Sequence, residues 1–410
     1  MSSGLKRINT GEAVDGDESL VAGAASRRLM GVDVARAVAV LGMIVVHTGA
    51  LVVNPTVTWA FSGRSAILFA VLAGLSLGLL SGGSRVHTGV RLRMDRRNIA
   101  MRGCLLLILG LLLAVVPSSV MVILVTYAVL FWIALPALSW TWRRLATVAA
   151  VWAVAAPVVS FVVRASVLPE TNTIGGVASP FDLFSVDGWV AAVRMTFIDG
   201  TYPVLSWVPF VLMGLAIARW GVGRRTAGWT MSAVGIVLAM VGYGASWIAM
   251  NIFGLRRVLI AEFDAIPDLS GSEMYEFFTQ NGFFGTVPTS HWAWLFTAAP
   301  HSGTPFEIIG SGGVALVVVG LALLLARSIP VLLIPLASLG RMPLTVYAGH
   351  IVVLGVLYLT DLLTLSTWQF TLFLVVPVVA ATLWFRFFDQ GPLEKLLSFT
   401  TNKFAQRLVT

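Results

Sequence analysis

The chain has 410 residues, of which 58% are hydrophobic and 11% charged, where a soluble domain carries roughly 25% charged residues; a soluble globular fold is excluded. The formal charge of +8 would point to nucleic acid in a soluble protein, but in a chain this apolar Lys and Arg first report topology, and no nucleic-acid partner is expected. A single cysteine, Cys104, excludes an intrachain disulfide.

Residues 1–30 hold Lys6, Arg7, Glu12, Asp15, Asp17 and Glu18 and lack the apolar stretch of a cleavable signal, so a disordered cytoplasmic tail is expected there. Apolar runs of crossing length follow at about 32–54, 62–82, 100–117, 119–141, 145–167, 202–220, 228–253, 307–327, 342–360 and 367–388. Ile329–Ser338 is apolar but short and broken by Pro330 and Pro335, which reads as a re-entrant or interfacial piece, an eleventh partial span. Lipid offers the backbone no hydrogen-bond partner, so these runs must be helices. The expected fold is all-α, a polytopic bundle of about 10 (10–11) transmembrane helices forming one domain over 31–390, with a cytoplasmic segment at 391–410. No internal repeat stands out. Pro136 and Pro157 interrupt spans, but no Gly/Pro-broken helices pair up in matching halves.

If Arg27 and Arg28 before the first span are cytoplasmic, the alternation of spans puts 21 of the 27 Lys and Arg on that side, including the run Arg85–Arg102. Both termini are therefore expected in the cytoplasm, as in an integral plasma-membrane protein. Two long outer loops result. One, about 168–201, carries Glu170, Asp182, Asp187 and Asp199; the other, about 254–306, carries Glu262, Asp264, Asp268, Glu273, Glu276, His291 and His301. Their aromatic residues, with Tyr202 and Trp207 just beyond the first, suit either an acceptor-binding surface or an interfacial aromatic belt.

Ionisable groups inside spans are costly and mark function by default. The first span is the richest. Asp33 and Arg36 stand three apart and share a helix face; Arg36 and His47 stand eleven apart, three turns plus about 20°, on one stripe roughly 16 Å long. An interfacial ion pair for Asp33 and Arg36, and an interhelical hydrogen bond for His47, are the structural alternatives. A titratable imidazole is also the usual general base, and His47 is the strongest candidate for one. Arg64 and Ser65 begin the second span, and Tyr347 and His350 share a face of the ninth.

Arg36 and His47 match the R-x10-H signature of the membrane acyltransferase-three family, and Asp33-Val-Ala-Arg36 resembles the D-x-x-R-G start of YeiB-like proteins and heparan-glucosaminide acetyltransferases. The chain is similar to that branch again in Gly63–Gly74, Gly200–Trp207, Pro300–Pro305, Gly340–Tyr347 and Gly391–Glu394, in order along the sequence. Ala37 stands where the family has glycine, and Gly49–Gly63 lacks the loop histidine of the heparan enzymes, leaving the base to His47.

The resemblance implies transfer of an acyl group, typically acetyl, from cytoplasmic acyl-CoA to an extracytoplasmic glycan or glycolipid, in a bacterial plasma membrane, without a metal. On that basis Arg91, Arg93, Arg96, Arg97 and Arg102 would face the donor's phosphates, or else serve only as the positive-inside anchor. Arg36 would orient the thioester arm or hold Asp33, and His47 would deprotonate the acceptor hydroxyl or amine, directly or after a transient acyl-imidazole. Arg64, Tyr202, Trp207, His301, Tyr347 and His350 are the acceptor-side candidates. A secondary transporter or flippase is the alternative class, and the sequence leaves open whether the chain forms a homo-oligomer.

Overall fold

A computed structural model describes residues 11–49, 52–167, 175–266, 270–364 and 366–407. Among them every regular element is helical: α1 (Gly11–Thr48), α2 (Pro55–Phe61), α3 (Arg64–Leu80), α4 (Gly89–Ala114), α5 (Leu124–Ala137), α6 (Trp142–Val167), α7 (Val186–Arg194), α8 (Val204–Trp220), α9 (Ala227–Trp247), α10 (Leu255–Asp264), α11 (Gly271–Asn281), α12 (Pro305–Ser328), α13 (Ile334–Arg341), α14 (Pro343–Leu359), α15 (Thr367–Trp384) and α16 (Pro392–Arg407), with short 3-10 and π turns between some of them. Of the tail expected over 1–30, residues 1–10 lie outside the described residues, as do Glu170 and Asp268 of the expected outer loops.

Among the described residues seven helices are long and apolar enough to cross a membrane, or nine if each of two bent pairs is one span. The expected ten runs all become helices. The run at 119–141 shrinks to α5, only 14 residues, too short to cross a ~30 Å core upright at ~1.5 Å per residue. Two helix pairs are bent: Val331–Arg341, which includes most of the piece expected to be re-entrant or interfacial, meets α14 at 69°, and Val186–Asp199, inside the expected outer loop 168–201, meets α8 at 52°. Proline supplies a reason in both, since Pro203 precedes α8 and Pro343 opens α14, and neither can donate the bond that would continue the preceding helix. The Ile329–Ser338 segment becomes a 3-10 turn and most of α13, packed against α1 and α15.

Small residues set the closest contacts. A side chain at Gly74 on α3 would meet the backbone of Val211 on α8, and one at Gly214 on α8 would meet that of Val71 on α3. On α9, Gly228, Gly235 and Gly242 repeat every seven residues and lie against Gly320, Gly313 and Gly310 of α12. Apolar side chains gain little from meeting each other rather than lipid tails, so close backbone approach of this kind is what holds membrane helices together.

The described residues between α9 and α12 carry structure of their own. Tyr275, Phe283, Leu259 and Trp294 form their own buried cluster over α10, α11 and the turn at Trp292–Phe296. Arg164 of α6 donates to Val287 O at 2.6 Å and ties this cap to the bundle. At the end of the bundle carrying Arg219, that guanidinium donates to the carbonyls of Gly78, Gly83 and Leu138, joining α8 to α3 and α5. There α16 also docks. Glu394 accepts from Leu344 N and Thr345 N at 2.8 and 3.1 Å, satisfying open donors at the start of α14.

Candidate functional site

The polar stripe on α1 opens onto two different cavities. Near its start, Arg36 pairs with Asp33 at 2.5 Å and donates to Ser76 Oγ of α3 at 2.8 Å. Gly340 of α13 packs on the backbone of Asp33, a contact that any side chain at position 340 would block. Arg36 lines a cavity of about 400 Å3 together with Arg102, Arg341, Ser76, Tyr127 and Glu394. Its lining sets three guanidiniums, one carboxylate and the Ser76 hydroxyl among mostly apolar walls, and guanidinium donors are matched in geometry to anionic oxygens.

Three turns further on, His47 Nδ1 lies 3.0 Å from His350 Nε2 of α14, with the two rings 6° from coplanar. Of the two tautomers of this pair, the one in which His47 Nδ1 donates to His350 leaves a lone pair on His47 Nε2. In that form the bond to His350 fixes the orientation of the His47 ring. His47 lines a second cavity, of about 30 Å3, with Ser65, Tyr202, His301 and Tyr347, room for a water or two.

Tyr127 of α5 stands between the two cavities. Its ring lines the larger, and its hydroxyl donates at 3.1 Å to the carbonyl of Ala66, which lines the smaller. Tyr127 is 2% exposed and was not singled out by the sequence; a tyrosine in an apolar run carries no signal of its own.

His301 arrives from the turn before α12. Its φ of +55° is unusual for a residue with a side chain, and Glu307 holds it there. Glu307 Oε1 accepts from His301 N at 2.6 Å and Oε2 from Gly303 N at 2.7 Å, while Glu307 N donates to Thr304 Oγ1 at 3.2 Å. Glu307 is 3% exposed and escaped the sequence reading, although Thr304-Pro-Phe-Glu307 is a capping-box spacing that could have found it.

The remaining candidates divide. Tyr202 meets His301 and Trp207 edge-on at 5.7 and 5.3 Å, so these three belong to the site. The Tyr347 hydroxyl accepts from Ile123 N at 3.3 Å and its ring meets His350 at 5.4 Å. Arg64 is engaged in structure: Nε donates to Tyr243 Oη at 2.9 Å, Nη1 to Trp59 O at 2.6 Å, and the guanidinium lies 4.0 Å over the Trp59 ring. Of the five arginines expected at the donor, Arg102 lines the large cavity. Arg91, Arg93 and Arg97 are exposed on α4 and Arg96 donates to Leu135 O at 3.1 Å, so these four stand apart from that cavity, which Arg36 and Arg341 line with Arg102. Periodicity places α4's arginines on a helix but not on the side of it that faces α3.

Burial, and behind it the positive charge of Arg64, hold the His301 imidazole down to about 4. In the unfolded chain it protonates near 6.5, so between those values the folded form binds fewer protons and loses stability as pH falls. Going from pH 7 to pH 4.5 in detergent, His301→Gln is expected to lose less of its melting temperature than the wild type; equal losses would refute this.

Of the five segments that carried the family resemblance, Gly63–Gly74, Gly200–Trp207 and Pro300–Pro305 meet around His301, while Gly391–Glu394 and the start of α14 lie at the large cavity. Gly63 lies against His301 N, Gly285 brings its loop onto the backbone of Gly200, and Glu394 caps the helix that carries Tyr347. A model of a family described as a protein of unknown function, DUF418, a YeiB-like membrane family, matches residues 278–403. The match takes in Pro300–Pro305, Gly340–Tyr347 and Gly391–Glu394, and with them His301, Glu307 and His350. No curated protein matches the chain.

Proposed function

We propose that the protein is a membrane acyltransferase that moves an acyl group, acetyl in the simplest case, from cytoplasmic acyl-CoA to an extracytoplasmic sugar or glycolipid. The observation that carries this reading is that α1 presents Arg36 to a large cationic cavity and His47 to a small histidine-lined one, with Tyr127 between them. The excess of Lys and Arg at the Arg36 end supports a cytoplasmic position for that end. The donor's phosphates would meet Arg36, Arg102 and Arg341, and its apolar arm would lead the thioester toward Tyr127. An acceptor hydroxyl gives its proton to His47 Nε2 as its oxygen attacks the thioester carbonyl. The C–S bond breaks, the imidazolium returns the proton to the departing thiolate, and the products are an acyl ester and free CoA.

The test separates this site from a mere basic surface. Arg36→Ala combined with Arg102→Ala should weaken acetyl-CoA binding to protein in nanodiscs at least about tenfold, since each charge-assisted bond contributes ~1.5–3 kcal/mol. Arg93→Ala combined with Arg97→Ala, both exposed, should leave it unchanged. Equal effects of the two pairs would sink the donor assignment.

A second reading has one observation in its favour: two bent helix pairs, at 52° and 69°, resemble the discontinuous helices from which transporters build their sites. A transporter would move a solute into sealed vesicles without consuming acetyl-CoA.

A further inference from the structure

We infer that the Tyr347 hydroxyl is a further catalytic group, the donor that holds the thioester carbonyl oxygen while His47 takes the proton of the acyl acceptor; the inference rests on the acyltransferase reading above. Buried polar groups are nearly always hydrogen-bonded, and the lining of the His47 cavity departs from that. Tyr347 is 2% exposed. Among the described residues its hydroxyl accepts from Ile123 N at 3.3 Å and has no hydrogen-bond acceptor for its own proton. A phenol can do both, so the accepting side is filled and the proton is left for a ligand. Accepting an amide N–H also polarises the O–H and makes it a stronger donor.

Two pairs of residues fix where that proton is offered. Ile123 caps α5 and lines the small cavity, while the next residue, Leu124, lines the large one. On α14, Leu344 lines the large cavity and Tyr347, three residues later on the same face, lines the small one. The Tyr347 hydroxyl, bonded to Ile123 N, therefore stands at the partition that a thioester arriving from the large cavity has to meet. The Tyr347 ring also lies edge-on to His350 at 5.4 Å, and His350 bonds His47, so the oxygen's donor and the residue that orients the base sit on adjacent turns of one helix. Tyr202 presents a hydroxyl to the same cavity, but its ring packs on Trp207 and His301, neither of which lines the large cavity. As the attacking oxygen bonds the carbonyl carbon, the C=O π pair moves onto the carbonyl oxygen and its growing charge strengthens the bond from Tyr347. When that pair returns, the C–S bond breaks and the thiolate takes the proton from His47; Tyr347 keeps its own proton throughout. A bond stronger in the transition state than in the bound thioester accelerates the step without tightening donor binding.

The test compares the full-length wild type with Tyr347→Phe, Tyr202→Phe and Ser65→Ala in nanodiscs, following release of CoA thiol from acetyl-CoA with methyl glucoside or water as the acyl acceptor. Tyr347→Phe keeps the ring against His350 and removes only the hydroxyl. It should lower kcat about 10²–10³-fold, as loss of one oxyanion donor does, and leave the Kd for acetyl-CoA unchanged. Infrared spectra give a second readout: the stretch of an isotope-labelled carbonyl in bound acetyl-CoA should lie below that of the free thioester in the wild type and return to it in Tyr347→Phe. Should that variant not be recovered as monodisperse protein, the wild-type stretch decides, and a value equal to the free thioester's overturns the inference. A kcat loss matched by an equal loss of acetyl-CoA binding marks a structural role and overturns it too, as does a loss that falls on Tyr202→Phe or Ser65→Ala and spares Tyr347→Phe. A wild type that binds acetyl-CoA but releases no thiol removes the acyltransferase reading and the inference together. An active wild type whose Tyr347→Phe variant is equally fast overturns the inference alone.

Discussion

Purified His47→Ala, supplied with labelled acetyl-CoA and an acceptor glycoside, is expected to transfer acetyl about 10²–10⁴-fold more slowly than the wild type, the range that a positioned general base contributes, while binding the donor equally well. The separation follows from geometry. Arg36 and His47 lie on one helix but line different cavities, so removing the imidazole leaves the guanidinium cluster intact. His350→Gln is expected to fall between the two, because it retains a hydrogen-bonding group beside His47 Nδ1 but not the coplanar ring at 3.0 Å that fixes its tautomer. Neutral His47 is required in this scheme, so the rate should fall on the acid side for the wild type and lose that limb in His47→Ala. A His47→Ala protein with wild-type turnover would remove the base from α1 and the mechanism with it.

Gly313→Leu, by contrast, prevents the bundle from closing. A Cβ at position 313 already stands 2.5 Å from Ala239 N and 2.6 Å from Gly235 O of α9, contacts with backbone that no side-chain rotation relieves. Overpacking of cores costs about 1–3 kcal/mol where neighbours can shift, and here the neighbours are backbone. The expected outcome is loss of monodisperse protein on size-exclusion chromatography, or a large drop in melting temperature. Gly349→Leu serves as the control, since a Cβ at Gly349 meets nothing within 4 Å. If both variants behave as wild type, the α9–α12 contact is not what holds this side of the bundle.

Much of the architecture is legible in the sequence because bilayer physics is one-dimensional. A run such as 307–327 must be a helix wherever it sits, and α12 occupies Pro305–Ser328. The polar stripe is legible for the same reason, as the 3.6-residue period alone puts Asp33, Arg36 and His47 on one face. The seven-residue spacing of Gly228, Gly235 and Gly242 was equally available as a sign of close helix contact. The breaks were harder to see. Pro203 and Pro343 mark where a helix cannot continue, yet angles of 52° and 69° depend on what the two halves pack against.

Residue type and period by themselves determined that the chain is an all-helical membrane protein and that α1 carries its most costly polar groups. Tertiary structure decided which partners those groups meet. His350 is 303 positions from His47, Glu307 holds His301 from within the next helix, and Arg341 rather than Arg91, Arg93 or Arg97 joins Arg36. Helical period fixes the direction of a side chain relative to its own axis. The rotation and neighbours of that axis come from backbone contacts such as Gly74 on Val211 and Gly340 on Asp33, which join residues far apart in the chain and leave no periodic trace in it.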